Sequence, residues 1–113
     1  MATTTLTPAE LQILLALTST PRHGYGIKLD VEDRTAGAIK LSSGTLYEAI
    51  QRLEKYGSLE VAKAPENDPA ESRRKYYRLT SSGRTRLQID LQSLQALVSD
   101  AIAMEVLPET KPA

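Results

Sequence analysis

The stretch from Thr80 to about Leu107 is the feature that most constrains this chain. Leu87, Leu91, Leu94, Val98, Ala101 and Val106, with Ile102 alongside, recur at mixed three- and four-residue spacing. Thr80 or Ser81 supplies an N-cap and Pro108 a stop, so the stretch reads as one long helix. At 1.5 Å per residue such a helix spans roughly 40 Å. A compact domain of this size has a radius of gyration of about 13 Å, hence a diameter near ~26 Å. The helix therefore projects, and its apolar stripe needs a second molecule, which is expected to be another copy of the same chain. The competing reading is a long helix folded across its own domain.

The rest of the chain is one domain's worth. It has 113 residues, no cysteine and a single histidine, which excludes disulfides and thiolate metal sites and disfavours a transition-metal sensor. No cofactor motif is present, and neither a cofactor nor a bound metal is expected. The opening "MATTTLTPAE" has neither a basic n-region nor an apolar h-region, and no apolar run approaches the roughly 20 residues that span a bilayer. A soluble cytoplasmic protein without membrane contact is the expectation. Fourteen basic and fourteen acidic residues give a net charge of zero, yet their distribution is uneven. Arg73, Arg74, Lys75, Arg78, Arg84 and Arg86 lie between Glu71 and Asp90 with no acid among them. Such a run is either a solvated basic face or a local cationic patch on a neutral protein.

Along the chain, "TPAE" opens a first helix. Thr7 is its N-cap, Pro8 takes the first helical position, and Glu10 completes a capping box. Leu11, Ile13, Leu14, Leu15, Ala16 and Leu17 then make it apolar nearly all round, as a helix buried on every side must be. Pro21 and Gly24 punctuate a turn, after which Tyr25, Ile27, Leu29 and Val31 supply the apolar positions of a short second helix. His23 and Tyr25 are read as a turn residue and a packed residue, with the bordering of a pocket as the lesser reading. A third helix, "LSSGTLYEAIQRLEKYG", ends at Gly57, which suits a left-handed C′ position. "SLEVAKA" and "RKYYRL" flank the turn-rich "PENDPAESR" and read as a β-hairpin with a long tip. The order helix-helix-helix-strand-strand-helix predicts a mainly α winged helix-turn-helix. Residues 1–79 would form it, 80–107 the dimerisation helix, and 108–113 a flexible tail.

On a helical wheel, Leu46, Ala49, Ile50 and Leu53 of the third helix fall on one side. Gly44, Glu48, Gln51 and Lys55 lie opposite, with Thr45, Tyr47 and Arg52 on the flanks. Ser42, Ser43 and Thr45 are short hydrogen-bonding groups at the end that enters a major groove in helix-turn-helix proteins. Gly44 permits close backbone approach to phosphate. Gln51 matches adenine, and Arg52 matches guanine or phosphate. Any solvated helix face carries such residues, so the hairpin matters: Arg73, Arg74 and Lys75 stand where a wing meets the DNA backbone.

"LTPAELQILLAL", "HGYGI", "LSSGTLYEAIQRLEKYG" and "RRKYYRLTSSGR" resemble, in order and spacing, the signature segments of PadR-like transcriptional regulators, over about residues 6 to 90. The chain looks like the small subclass with a single C-terminal helix. That resemblance implies a homodimer that binds double-stranded DNA at a pseudo-palindromic operator, usually to repress. It also implies that the last helix dimerises against the partner's first helix, so that Leu11, Leu14, Leu15, Leu87, Leu91, Leu94, Val98, Ala101 and Ile102 become interface positions. Carried over by position, Ser42 to Tyr47 would read the groove, Tyr47 would touch the backbone, and Arg73, Arg74 and Lys75 would be the basic wing. A small-molecule effector is also implied, though a chain with no Trp and no Phe cannot build a tryptophan-stacking slot. Two departures stand out: Glu48 where the family often has proline, and Ser58-Leu59 after Gly57 in place of "LI". The second is expected to loosen packing under the wing. Glu48 and the zero net charge motivate an alternative, a winged-helix protein-interaction module without DNA binding. Catalytic constellations are lacking, so an enzyme is not expected.

Overall fold

The computed structural model describes residues 5–67 and 74–109 of the protein. Its elements are α1 (Pro8–Ala16), β1 (Arg22–His23), α2 (Gly24–Arg34), α3 (Ser43–Lys55), β2 (Leu59–Ala62), β3 (Tyr76–Leu79) and α4 (Ser81–Ala103). This is a winged helix-turn-helix followed by a long helix, as the sequence predicts, with one addition. The two-residue strand β1 joins the hairpin as a third antiparallel strand, in the order β1-β3-β2. His23 pairs with Tyr76 and Arg22 with Tyr77. Residues 68–73 of the expected hairpin tip and 110–113 of the expected tail lie outside the described residues.

Helix boundaries follow from local chemistry. Thr7 accepts the Glu10 N–H while Glu10 Oε1 accepts the Thr7 N–H at 2.8 Å, closing the capping box of α1. His23, Ser42 and Thr80 cap α2, α3 and α4. At the far end of α3, Gly57 adopts φ 76°. The Ser58 N–H bonds back to Leu53 and the Gly57 N–H to Glu54, the paired bonds of a Schellman motif.

The core gathers Ile13, Leu14 and Leu17 of the α1 segment, Ile27 and Val31 of α2, Leu46, Ala49, Ile50 and Leu53 of α3, and Leu59, Tyr77 and Leu87. Fully burying a side chain of this kind contributes about 1.5–3 kcal/mol. In α2 the apolar positions divide. Ile27 and Val31 are buried, whereas Tyr25 and Leu29 are exposed, because residues two apart on a helix face opposite ways.

Two residues expected at a dimer seam are corrected by the packing. Leu14 is 0% exposed and Leu87 3%. α1 is enclosed by α2, α3 and the start of α4, so both side chains are already covered by their own chain. Leu11, Leu15 and Leu91 are half-buried at the margin of the core. Beyond Leu91 the character of α4 changes. Every residue from Gln92 to Asp100 is exposed, Leu94 and Val98 among them at 43% and 47%. Ala101 and Ile102 are half-buried. The molecule measures 52 × 38 × 25 Å with a radius of gyration of 15.9 Å, and the excess over a compact domain of this length is the projecting helix.

The end of α3 and the start of α4 are clamped together. The hydroxyls of Thr80 and Ser82 both donate to the Gly57 carbonyl, and the Thr80 N–H donates to the Ser58 carbonyl at 3.2 Å. Ser58 itself is buried, so this position is a fixed junction where the sequence predicts a looser seam. A Cβ on Gly83 would overlap the Ser58 carbonyl. Gly83→Ala should therefore destabilise the fold by about 1–3 kcal/mol, read as a lowered urea midpoint with unchanged slope. An unchanged midpoint would contradict this close approach.

Candidate nucleic-acid interface

The first turn of α3 stands clear of the core. Ser42, Ser43, Gly44 and Thr45 are all exposed, while Leu46 and Leu41 beside them are buried and fix the entry of the helix. Ser42 is the N-cap: its hydroxyl accepts the Thr45 N–H at 3.2 Å and lies 3.0 Å from Thr45 Oγ1. These two hydroxyls hold each other, which leaves Ser43 and the Gly44 backbone as the least encumbered groups at the tip. Nothing lies within 4 Å of a Cβ placed on Gly44, so an incoming backbone can approach it closely. Glu48, Gln51 and Lys55 continue the exposed face.

Tyr47 is 46% exposed, and its ring lies across Gly24, where a Cβ would collide with the phenol. That contact joins α3 to the N-terminus of α2. It also forms one wall of a hollow lined by His23, Gly24, Tyr25, Tyr47, Arg74, Lys75 and Tyr77. α3 and the Arg74 and Lys75 cations thus meet at one surface. Arg74 and Lys75 are exposed there, and Arg74 Nη1 is 3.1 Å from His23 Nε2. Arg73 lies outside the described residues. Beneath the hollow, burial raises the Tyr77 phenol above its usual range, with Glu54 and Tyr47 adding to the effect, and the group stays protonated at neutral pH.

Of the six-cation run, three members are held elsewhere. Arg78 is paired with Glu60 at 2.7 Å. Arg84 donates to the Thr18 carbonyl at the end of the α1 segment. Arg86 lies 3.8 Å from Asp90, whose other oxygen accepts the Leu6 N–H. The cationic patch therefore contracts to the wing. Arg52 is also engaged: its Nε donates to Glu10 Oε2 at 3.2 Å. Glu10 is 7% exposed, and its two oxygens cap α1 and hold α3 at once. Sequence reasoning assigned Glu10 to the cap alone and Arg52 to the groove. The capping box was readable at three-residue spacing, whereas the pairing across 42 positions was not. His23 is a second residue whose place was missed, since only the strand pairing of β1 brings it beside Arg74.

The family model for the transcriptional regulator PadR-like family matches residues 13–89. The chain belongs to that family. Its fold is shared with a transcriptional regulator from Clostridium thermocellum, with TM-score 0.72 and 27% identity over 88% of this chain and 90% of that one. A PadR family transcription regulator from Clostridium difficile also has TM-score 0.72, with 25% identity over 89% of this chain and 100% of that one. A protein of Lysinibacillus sphaericus described as "uncharacterized protein X" is 38% identical over 75 residues, 66% of this chain and 67% of its own length. The PadR-like chain is a transcriptional regulator of a family defined by regulation, not catalysis. Among the described residues, no helix is long and apolar enough to cross a membrane.

Because Glu10 serves two elements, Glu10→Ala should cost about 2 kcal/mol, through the lost cap and the partner left behind on α3. Urea denaturation measures it, and a loss confined to a few tenths would deny Glu10 this double role.

Proposed function

We propose that this PadR-like regulator is a dimeric repressor that binds a pseudo-palindromic operator, with the first turn of α3 in the major groove and the wing on the flanking backbone. The observation that carries this reading is the shared surface of α3 and the wing. An uncovered helix start, with Ser43, Gly44 and Thr45 exposed, stands beside the Arg74 and Lys75 cations across the Tyr47 hollow. Short groups at a helix start read base edges, and flanking cations fix register on phosphates. Gln51, about two turns further along the same exposed face, would reach an adenine edge. Such a role places the protein in the cytoplasm, beside the chromosome.

The second copy follows from α4. Leu91, Leu94, Val98 and Ala101 are spaced three, four and three apart, a heptad seam that continues the period of the buried Leu87. The outer part of that seam has no cover from its own chain. Leu11 and Leu15 on α1, half-buried, offer the complementary surface. A small apolar effector would sit at this seam, against the face formed by Gln88, Leu91, Gln92, Leu94, Gln95 and Val98.

Glu48 favours a second reading, a protein-interaction module without DNA binding, because it puts an exposed carboxylate on the groove-facing side of α3. A mobility-shift titration on the upstream region of the protein's own gene separates the two. The repressor retards that DNA, with affinity falling steeply with salt and half-site centres about 34 Å apart or a multiple of it. In the same titration Lys75→Ala should weaken every sequence alike and reduce the salt slope by about one. Arg78→Ala, already paired to Glu60, should change little. Absence of retardation at low salt, with dimer confirmed, favours the module.

Leu94→Asp and Val98→Asp each place a charge in the proposed seam, where an unpaired buried charge is strongly unfavourable. Either should raise the dimer dissociation constant at least about a hundredfold and yield monomer by native mass spectrometry, with operator affinity falling in step. Intact dimers in both variants would rule out this seam.

A further inference from the structure

We infer that Glu48 is a specificity-determining residue that selects a cytosine in the operator half-site, an inference that rests on the DNA-binding reading above and names one base it would read. Glu48 lies one turn beyond Gly44 on the outward ridge of α3, with Gln51 and Lys55 following, and all four residues are exposed. Leu46, Ala49, Ile50 and Leu53 are buried on the opposite side, so α3 cannot rotate to take the carboxylate off a surface laid against DNA. Whatever groove α3 enters, Glu48 enters with it.

A glutamate with an arginine four residues later on an exposed helix face ordinarily forms an ion pair, and that order of charges is the favoured one. Glu48 and Arg52 have this spacing and order. Arg52 is drawn the other way: its Nε donates to Glu10 Oε2 at 3.2 Å. The Glu10 side chain is 10% exposed, and a carboxylate in so poorly solvated a place attracts a guanidinium more strongly than one facing water. Lys55, the other cation of α3, stands two turns from Glu48. Among the described residues no cation pairs with Glu48, so its carboxylate is left for whatever α3 meets.

An ionised carboxylate only accepts hydrogen bonds. Backbone phosphates repel it on any duplex. Of the base edges in the major groove, guanine presents N7 and O6 acceptors, thymine O4 and a methyl group, and adenine an amino group beside its N7 acceptor; cytosine presents its N4 amino donor. Glu48 therefore weakens binding to DNA in general and recovers the loss only where a cytosine faces it. Such a group contributes discrimination, which is a difference between right and wrong sequences, while affinity comes from its neighbours.

Selection of duplexes from a randomised pool by the wild type, Glu48→Ala and Glu48→Gln tests this. The wild type should enrich a half-site with one fixed C·G pair. Glu48→Ala should lose the preference at that pair alone, and Glu48→Gln should move it toward A·T, because a glutamine amide matches adenine. In anisotropy titrations, replacing that cytosine by thymine should weaken the wild type about tenfold and Glu48→Ala less than about twofold. On random-sequence DNA, Glu48→Ala should bind about two- to fivefold more tightly than the wild type. Its urea midpoint should not fall, since alanine is the better helix former at an exposed position. The same enriched half-site for the wild type and Glu48→Ala, with or without a uniform gain in affinity, would overturn the inference and leave the repressor reading standing. A wild type that enriches no sequence would overturn the DNA-binding reading and this inference with it.

Discussion

The approach of Gly83 to the Ser58 carbonyl is the constraint on which the remaining geometry depends. It lies where α3 has just ended, β2 is about to begin and α4 starts. Gly57 turns the chain with φ 76°, two hydroxyls from the cap of α4 bind its carbonyl, and a glycine on α4 lets the two backbones meet. Three elements therefore share one rigid corner. Their relative directions are set by backbone packing, which tolerates less change than packing between flexible side chains.

Glu10 makes a second link of the same kind between elements. Its carboxylate ends α1 and grips Arg52 on α3, so the helix nearest the proposed seam and the helix proposed to enter DNA are joined by one nearly buried side chain. A group that satisfies two partners in a poorly solvated place fixes their relative position more firmly than an exposed ion pair does.

The sequence made α3 legible almost entirely, since its apolar period, its serine cap and its terminal glycine all describe the same helix. It also exposed the excess length of α4, because a heptad spacing persists where the domain has run out of core. What could not be read was non-local. The strand β1 is two residues long and exists only by pairing with β3, so His23 resembled an ordinary turn residue. In α2, the alternating Tyr25, Ile27, Leu29 and Val31 looked uniformly apolar, but a helix sends alternate residues to opposite faces. The basic run misled for the same reason. Arg78 and Arg84 find their partners 18 and 66 positions away, and neither pairing leaves a mark on local composition.

The last turn of α1 lacks both a basic residue of its own and a terminal glycine, and guanidinium groups from elsewhere complete it. Arg22 donates to the Ala16 carbonyl and Arg84 to that of Thr18, while Arg34 reaches the Gln12 carbonyl one turn earlier. The Gln12, Ala16 and Thr18 carbonyls of the first helix segment thus gain these partners only when α2, β1 and the start of α4 have docked. Its folding is cooperative with theirs, and the start of the projecting helix belongs to the same all-or-none unit as the first. The contacts that complete α1 accordingly cross the border near residue 80 and tie the start of α4 into the same unit.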